Sequence, residues 1–205
     1  MTLPRTPRAQ VIAAVVGLAV LSLVFNISLP GEMSGDLPVV SFVRKSITMV
    51  LNSGTAWAGI AVFAGWRSRT VLGAILAGFG ASVGALLLHY LLGIVATIYA
   101  PSILAENVTW FQAAALFCGP LGAVGWLARR RDVLGLLAAM VVPLGALLEP
   151  FALRHFGPFY PRIPWPVVGA NIVSGIVLIV LGLALALLVL VRRRRSRRIV
   201  TSAPR

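Results

Sequence analysis

Charged side chains are scarce in this chain, and acids scarcest: 11% of its 205 residues are charged, and only five are Asp or Glu against eighteen Lys or Arg. Soluble domains carry about a quarter of their residues charged. With 59% of the residues hydrophobic and a mean hydropathy of +0.96, a water-soluble globule would have to expose apolar surface it could not tolerate, so the solvent is lipid. Cysteine is all but missing. Cys118 stands alone, which excludes an internal disulfide and leaves it as a small packing residue. One cysteine and two histidines with no paired spacing such as H-x-x-E-H supply no zinc-type ligand set, so neither a metal nor a cofactor is expected. G-x-S-x-G, an aspartate pair and a phosphate loop are absent too. An intramembrane enzyme would have to rely on Glu149 and His89 as acid and base.

What is present is six long apolar runs, at about 9–29, 47–66, 71–99, 110–127, 133–148 and 166–191, which meet the roughly 20-residue length of a helical crossing. The expected fold class is an all-α, polytopic membrane protein: a six-transmembrane-helix bundle over 1–191, followed by a basic tail, 192–205. The first run follows Arg5 and Arg8 as a signal peptide would, but no small-residue cleavage pattern closes it, so it reads as a retained anchor. Trp66, Trp110, Trp126 and Trp165 fall at interfaces, and Pro101, Pro150 and Pro166 punctuate helix ends.

Fourteen of the eighteen basic residues fall on one side of these six runs. Both termini are therefore expected in the cytoplasm, and the protein in the cell membrane. The net charge of +13 would suggest nucleic acid in a soluble chain; here anionic lipid headgroups are the expected partner. The contacts are assigned to Arg129, Arg130 and Arg131 and to Arg192, Arg193, Arg194, Arg195, Arg197 and Arg198, at about 1 kcal/mol per arginine. A cytoplasmic protein bound to the tail is the alternative.

Polar side chains inside spans are costly, so their depth is informative. Asn26, His89 and Glu149 lie high on ascending helices, and Asn52, Gln112 and Asn171 near the tops of descending ones. The cytoplasmic halves are almost purely Ala, Leu, Val, Ile and Gly. This distribution predicts an outward-facing polar vestibule, with Asn52, Ser53, Trp57, His89, Gln112, Glu149 and Asn171 as candidate ligand contacts. The competing reading is that each side chain reaches headgroup water on its own. Gly80 with Gly84, Gly122 with Gly125 and Ala13 with Gly17 are close-packing signals, within the bundle or between copies. Pro120 and Pro143 are expected to kink their helices.

A weak repeat runs through the middle of the chain. Gly65-Trp66, Val71-Leu72-Gly73 and Gly84-Ala85-Leu86-Leu87 recur as Gly125-Trp126, Val133-Leu134-Gly135 and Gly145-Ala146-Leu147-Leu148, at offsets of 60 to 62. The same offset maps Asn52 onto Gln112. Duplicated hairpins of like orientation would bring the matched amides to a common centre.

The stretch Asn52-Ser53-Gly54-Thr55-Ala56-Trp57, together with His89-Tyr90, Gly119-Pro120-Leu121-Gly122 and Glu149, resembles a family of small, uncharacterised multi-pass membrane proteins of high-GC Gram-positive bacteria. The resemblance implies the six-helix architecture and singles out Asn52, Ser53, Trp57 and Glu149; it implies no chemistry. Small-solute binding or transport is the function the polar residues favour. The alternative is a structural or accessory subunit without a ligand cavity.

Overall fold

The computed structural model describes residues 7–201, with side chains for 8–194. Those of Arg195, Arg197 and Arg198, three of the expected headgroup contacts, lie outside it. The described residues are all-helical: α1 Pro7–Asn26, α2 Pro30–Met33, α3 Pro38–Leu51, α4 Gly54–Trp66, α5 Val71–Val95, α6 Ile103–Glu106, α7 Val108–Leu127, α8 Val133–Ala152 and α9 Trp165–Thr201. Six stretches are long and apolar enough to cross a membrane, with α3 and α4 together forming the second. Large apolar side chains such as Leu76, Leu116, Leu137 and Leu187 are more than half exposed, as a lipid-facing surface requires and water would not permit. The chain is a multi-pass membrane protein.

The buried interior is built mostly from alanine, glycine and serine. In lipid, where burial of large apolar groups gains little, small residues let helix backbones approach and gain dispersion contact instead. α5 packs against α1, α4 and α7, while α9 packs against α8 and α3. At the α4–α7 crossing the two backbones are in direct contact. A Cβ on Gly65 would collide with the carbonyl of Gly122, and a Cβ on Gly125 with the carbonyl of Val62. Those two contacts exchange under the 60-residue offset of the sequence repeat, so α4 and α7 meet as equivalent partners. Gly80, Gly84 and Gly17 have nothing near their Cβ positions; of the two roles the sequence left open for them, they do not serve the one within the bundle.

The repeat extends to the helix starts. Thr70 caps α5 by accepting from the Gly73 N–H, and Asp132 caps α8 by accepting from the Gly135 N–H. These caps, with Trp126 donating to the Arg69 carbonyl and Arg129 to the Ser68 carbonyl, define one end of the bundle, here the arginine end. Arg193 donates there to the carbonyls of Asp132 and Arg130, which brings the last helix to the same end as Arg8.

Five boundaries differ from the sequence expectation by three residues or more; of these, the first span ends at Asn26 and the fifth continues to Ala152. The second span begins at Pro38 because Arg44, expected in a loop, is accommodated in the helix: its Nε donates to both Glu32 oxygens at 2.8 Å and its Nη1 to the Phe25 carbonyl at 2.8 Å. The third span stops at Val95, where Thr97 adopts φ +56° and the Ile98 and Tyr99 N–H groups turn back to the Gly93 carbonyl. The last helix runs unbroken through the arginines to Thr201, about 55 Å at 1.5 Å per residue, so 191 is a change of composition and not of structure.

Candidate functional site

The second span is interrupted at Asn52 and Ser53, and the interruption has an identifiable cause. Ser53 is extended and its hydroxyl accepts from the Ala56 N–H, an N-cap in the middle of a crossing. The Glu149 carboxylate completes the new helix start, accepting from the Gly54 N–H at 2.7 Å, the Thr55 N–H at 2.8 Å and the Thr55 hydroxyl at 2.5 Å. Free N–H groups at a helix start inside lipid would each cost several kcal/mol. An anion placed on the positive end of a helix satisfies them and is itself stabilised there. Glu149 is therefore a helix anchor. It stands outside the cavity described next, and α8 continues past it through Pro150 to Ala152 without fraying.

At the end of the bundle opposite the arginines, α1, α4, α5 and α7 enclose a cavity of about 480 Å³. Trp57, Leu86, Ala114 and Leu121 supply apolar wall, and Asn26, Asn52, Ser82, His89, Tyr99 and Asn107 supply polar atoms. None of the described residues lining it is charged. Trp110 and Phe117 stand at its rim, both more than half exposed. They are seven residues apart on α7, about 10 Å along the axis, so the mouth runs from the helix start toward the middle of the membrane.

Among the described residues, His89 and Ser82 are the two polar side chains of the wall that are buried, and they differ in pairing. His89, buried on α5, places its Nδ1 2.6 Å from the Ser22 hydroxyl of α1. The Ser22 hydroxyl also lies 3.2 Å from the Ala19 carbonyl; if it donates there, Nδ1 carries the ring proton and the neutral imidazole keeps a free Nε2 lone pair. The imidazole meets Tyr90 edge-on, with centroids 5.0 Å apart, and Tyr99 at 5.9 Å. Asn26 donates to the Tyr99 hydroxyl at 2.9 Å. Ser82, by contrast, is 1% exposed and its hydroxyl has no hydrogen-bond partner among the described residues.

Of the seven sequence candidates, Asn52, Trp57 and His89 come together in this cavity. Ser53 and Glu149 meet each other's surroundings at the helix break instead. Gln112 is exposed on α7 and outside the lining, so the matched amides Asn52 and Gln112 do not share a centre. Asn171 donates to the Val167 carbonyl one turn back in α9. Ser22 and Ser82 were missed. A serine in an apolar helix carries no local sign of burial, although both lie on the same helix as a residue the sequence did flag, Asn26 and His89 respectively.

A second histidine–serine pair lies between α8 and α9. His155 Nδ1 is 3.2 Å from the Ser174 hydroxyl, which donates to the Asn171 carbonyl at 2.9 Å. Both residues are buried, and Phe156 closes over Gly175 beside them. No group of three His, Cys, Asp or Glu side chains suited to a metal occurs among the described residues. Compared with family models, curated proteins and solved structures, the chain matches none.

Proposed function

We propose that this is a cell-membrane protein, with its arginine end and both termini in the cytoplasm, that binds a small uncharged molecule in the α1–α4–α5–α7 cavity. The basic bias of fourteen residues in eighteen supports the orientation. On the Asn52 to Trp57 stretch and Glu149 it is grouped with the small multi-pass family of high-GC Gram-positive bacteria.

The observation that carries the reading is the Ser82 hydroxyl, buried in the cavity wall without a partner. An unpaired polar group in such a place costs about 1–3 kcal/mol, a cost that a ligand hydrogen bond removes. The lining selects the ligand class. With no ionised side chain to meet it, a charged solute would be desolvated without compensation; a neutral molecule with an aromatic or aliphatic body and one or two hydrogen-bonding groups matches Trp57, Tyr90 and the amides. The rim at Trp110 and Phe117 suits entry from the bilayer.

The test is thermal unfolding of the purified protein with indole and benzyl alcohol against indole-3-acetate and benzylamine. The uncharged pair is expected to raise the midpoint and the charged pair to leave it unchanged. Ser82→Ala should weaken the effect about fivefold, the equivalent of one neutral hydrogen bond of about 1 kcal/mol. Equal stabilisation by the charged compounds, or none by any of them, would refute the reading. The open Gly80 and Gly84 positions favour a second reading, an accessory subunit of a membrane complex. A stoichiometric protein that stays bound in mild detergent and is lost in Gly80→Leu would favour it.

A further inference from the structure

At the arginine end, α1, α4 and α5 border a second groove, of about 720 Å³, unconnected with the cavity above. Arg8, Arg67 and Arg69 converge on it, while Val11, Ile12, Ala64 and Ala77 form its apolar walls. None of the described residues lining it is acidic. Arg67 is held in place with its guanidinium 5.4 Å from the centre of the Trp66 ring, yet its Nε–H is buried and has no acceptor among the described residues. Stacking fixes the orientation of the fork and leaves its donor edge for another group.

The order of chemistry along the helices is that of a phospholipid. Arg8 lies one turn before Val11 and Ile12 on α1, and Arg67 one turn after Ala64 on α4, so the cations sit at the helix ends and the apolar walls rise from them into the membrane. We propose that this groove is a specific site for one anionic phospholipid. Its phosphodiester meets Arg67 and Arg69, with Arg8 beside them, and an acyl chain lies along Val11, Ile12 and Ala77. The first-turn backbone of α5 at Gly73 adds the positive end of a helix to the headgroup side. Three arginines without a single carboxylate fix the sign of the ligand. The apolar floor separates a lipid from free phosphate. The site depends on the chain spanning a membrane and not on the ligand of the other cavity.

Native mass spectrometry of the full-length protein, titrated with palmitoyl-oleoyl phosphatidylglycerol and with phosphatidylcholine of the same chains, tests it. One phosphatidylglycerol should be retained well above phosphatidylcholine. Arg8→Gln with Arg69→Gln should weaken it roughly thirtyfold, the effect of two arginines at an anionic surface. Arg154→Gln with Arg162→Gln removes the same charge from exposed positions outside the groove, at the opposite end of the bundle, and should change retention less than threefold. Arg67→Lys, which keeps the charge and loses the fork, should weaken it severalfold; should the first pair prevent folding, this variant decides. Equal losses in the two double variants would mean diffuse attraction and overturn the site. So would equal retention of phosphatidylcholine, or full displacement by inorganic phosphate at lipid concentration.

Discussion

The two central hairpins, α4–α5 and α7–α8, are built alike at one end and differently at the other. At the arginine end each second helix is capped by a side chain that accepts from the N–H three residues on, Thr70 from Gly73 and Asp132 from Gly135. There too Gly65 and Gly125 make the same close approach to the opposite hairpin. At the far end the likeness ends. The first hairpin starts at the Ser53 break and, with α1 and α7, encloses a cavity beside the His89–Ser22 pair; in the second, α7 runs unbroken through the matching positions Gln112 and Ala113 and the His155–Ser174 pair is sealed under Phe156. Duplicated packing supplies the frame, and the departure from it makes the site. Backbone-to-backbone crossings tolerate no side chain and so hold both copies to one pattern, whereas the far ends are free to diverge.

The strongest way to break the comparison is at the crossing. Gly65→Ala and Gly125→Ala each drive a methyl into a backbone carbonyl, of Gly122 and Val62 respectively, so each should cost about 3 kcal/mol or more, the upper range of overpacking. The costs should be similar and should fail to add, because both displace the same pair of helices. Unfolding of the purified variants in detergent measures this. A severe loss in one and none in the other would remove the equivalence of α4 and α7.

Next in size is Glu149→Gln. It keeps the shape but removes the charge from bonds to Gly54 and Thr55 and should cost about 2 kcal/mol, the value of hydrogen bonds to an ionised group. Its counterpart in the first hairpin, by the offset of 61 that holds in this stretch, is Leu88, half-buried on α5, where Gln should leave the helix break untouched. If Glu149→Gln instead abolished binding of uncharged ligands with stability unchanged, the carboxylate would belong to the site and not to the frame.

That reassignment shows how far the sequence could be read. Six crossings followed from hydropathy because length and apolarity are local properties. The offset repeat was visible for a related reason, since glycine at a crossing admits no substitute that leaves a similar-looking sequence. Depth placed Asn52, Trp57 and His89 in the right half of the bundle. It could not separate them from Glu149, Gln112 and Asn171, because depth along a helix says nothing of azimuth. Gln112 points outward and Asn171 turns to its own helix. Arg44 was misplaced because its neutralising partner, Glu32, lies twelve residues away on the short helix α2, and Ser82 went unmarked because one hydroxyl in an alanine-rich helix changes neither hydropathy nor pattern.

A smaller effect separates the two caps. Thr70→Ala should cost about 1 kcal/mol at any pH, for a hydroxyl does not titrate in the accessible range. Asp132 does: the Gly135 N–H, and then the Arg130 guanidinium, hold its carboxyl below the ordinary value of 3.8. Its cap is therefore fully formed above that value and is lost as the pH falls through the lower, folded one. Asp132→Ala should destabilise at pH 6 and match the parent once both are acidified below that range. Glu32 follows the same sign. Burial raises its carboxyl, but the Arg44 guanidinium and the Leu29 N–H outweigh this and hold it below 4.5, so a Glu32→Gln background is needed to read the Asp132 term alone.

The smallest expected effect tests the divergence of the far ends directly. Gln112→Leu should change stability by less than about 0.5 kcal/mol, since the amide is exposed on α7 and lines no cavity. Asn52→Leu, its partner by offset, should leave stability within about 1 kcal/mol while weakening binding of indole or benzyl alcohol, because the amide lines the cavity and Ser53, not Asn52, caps α4. Equal consequences for binding in both variants would restore a shared centre. Unequal ones would leave a duplicated scaffold in which the site forms between the interrupted helix and the unbroken α7, and the interruption itself would be the device that turned packing into a cavity.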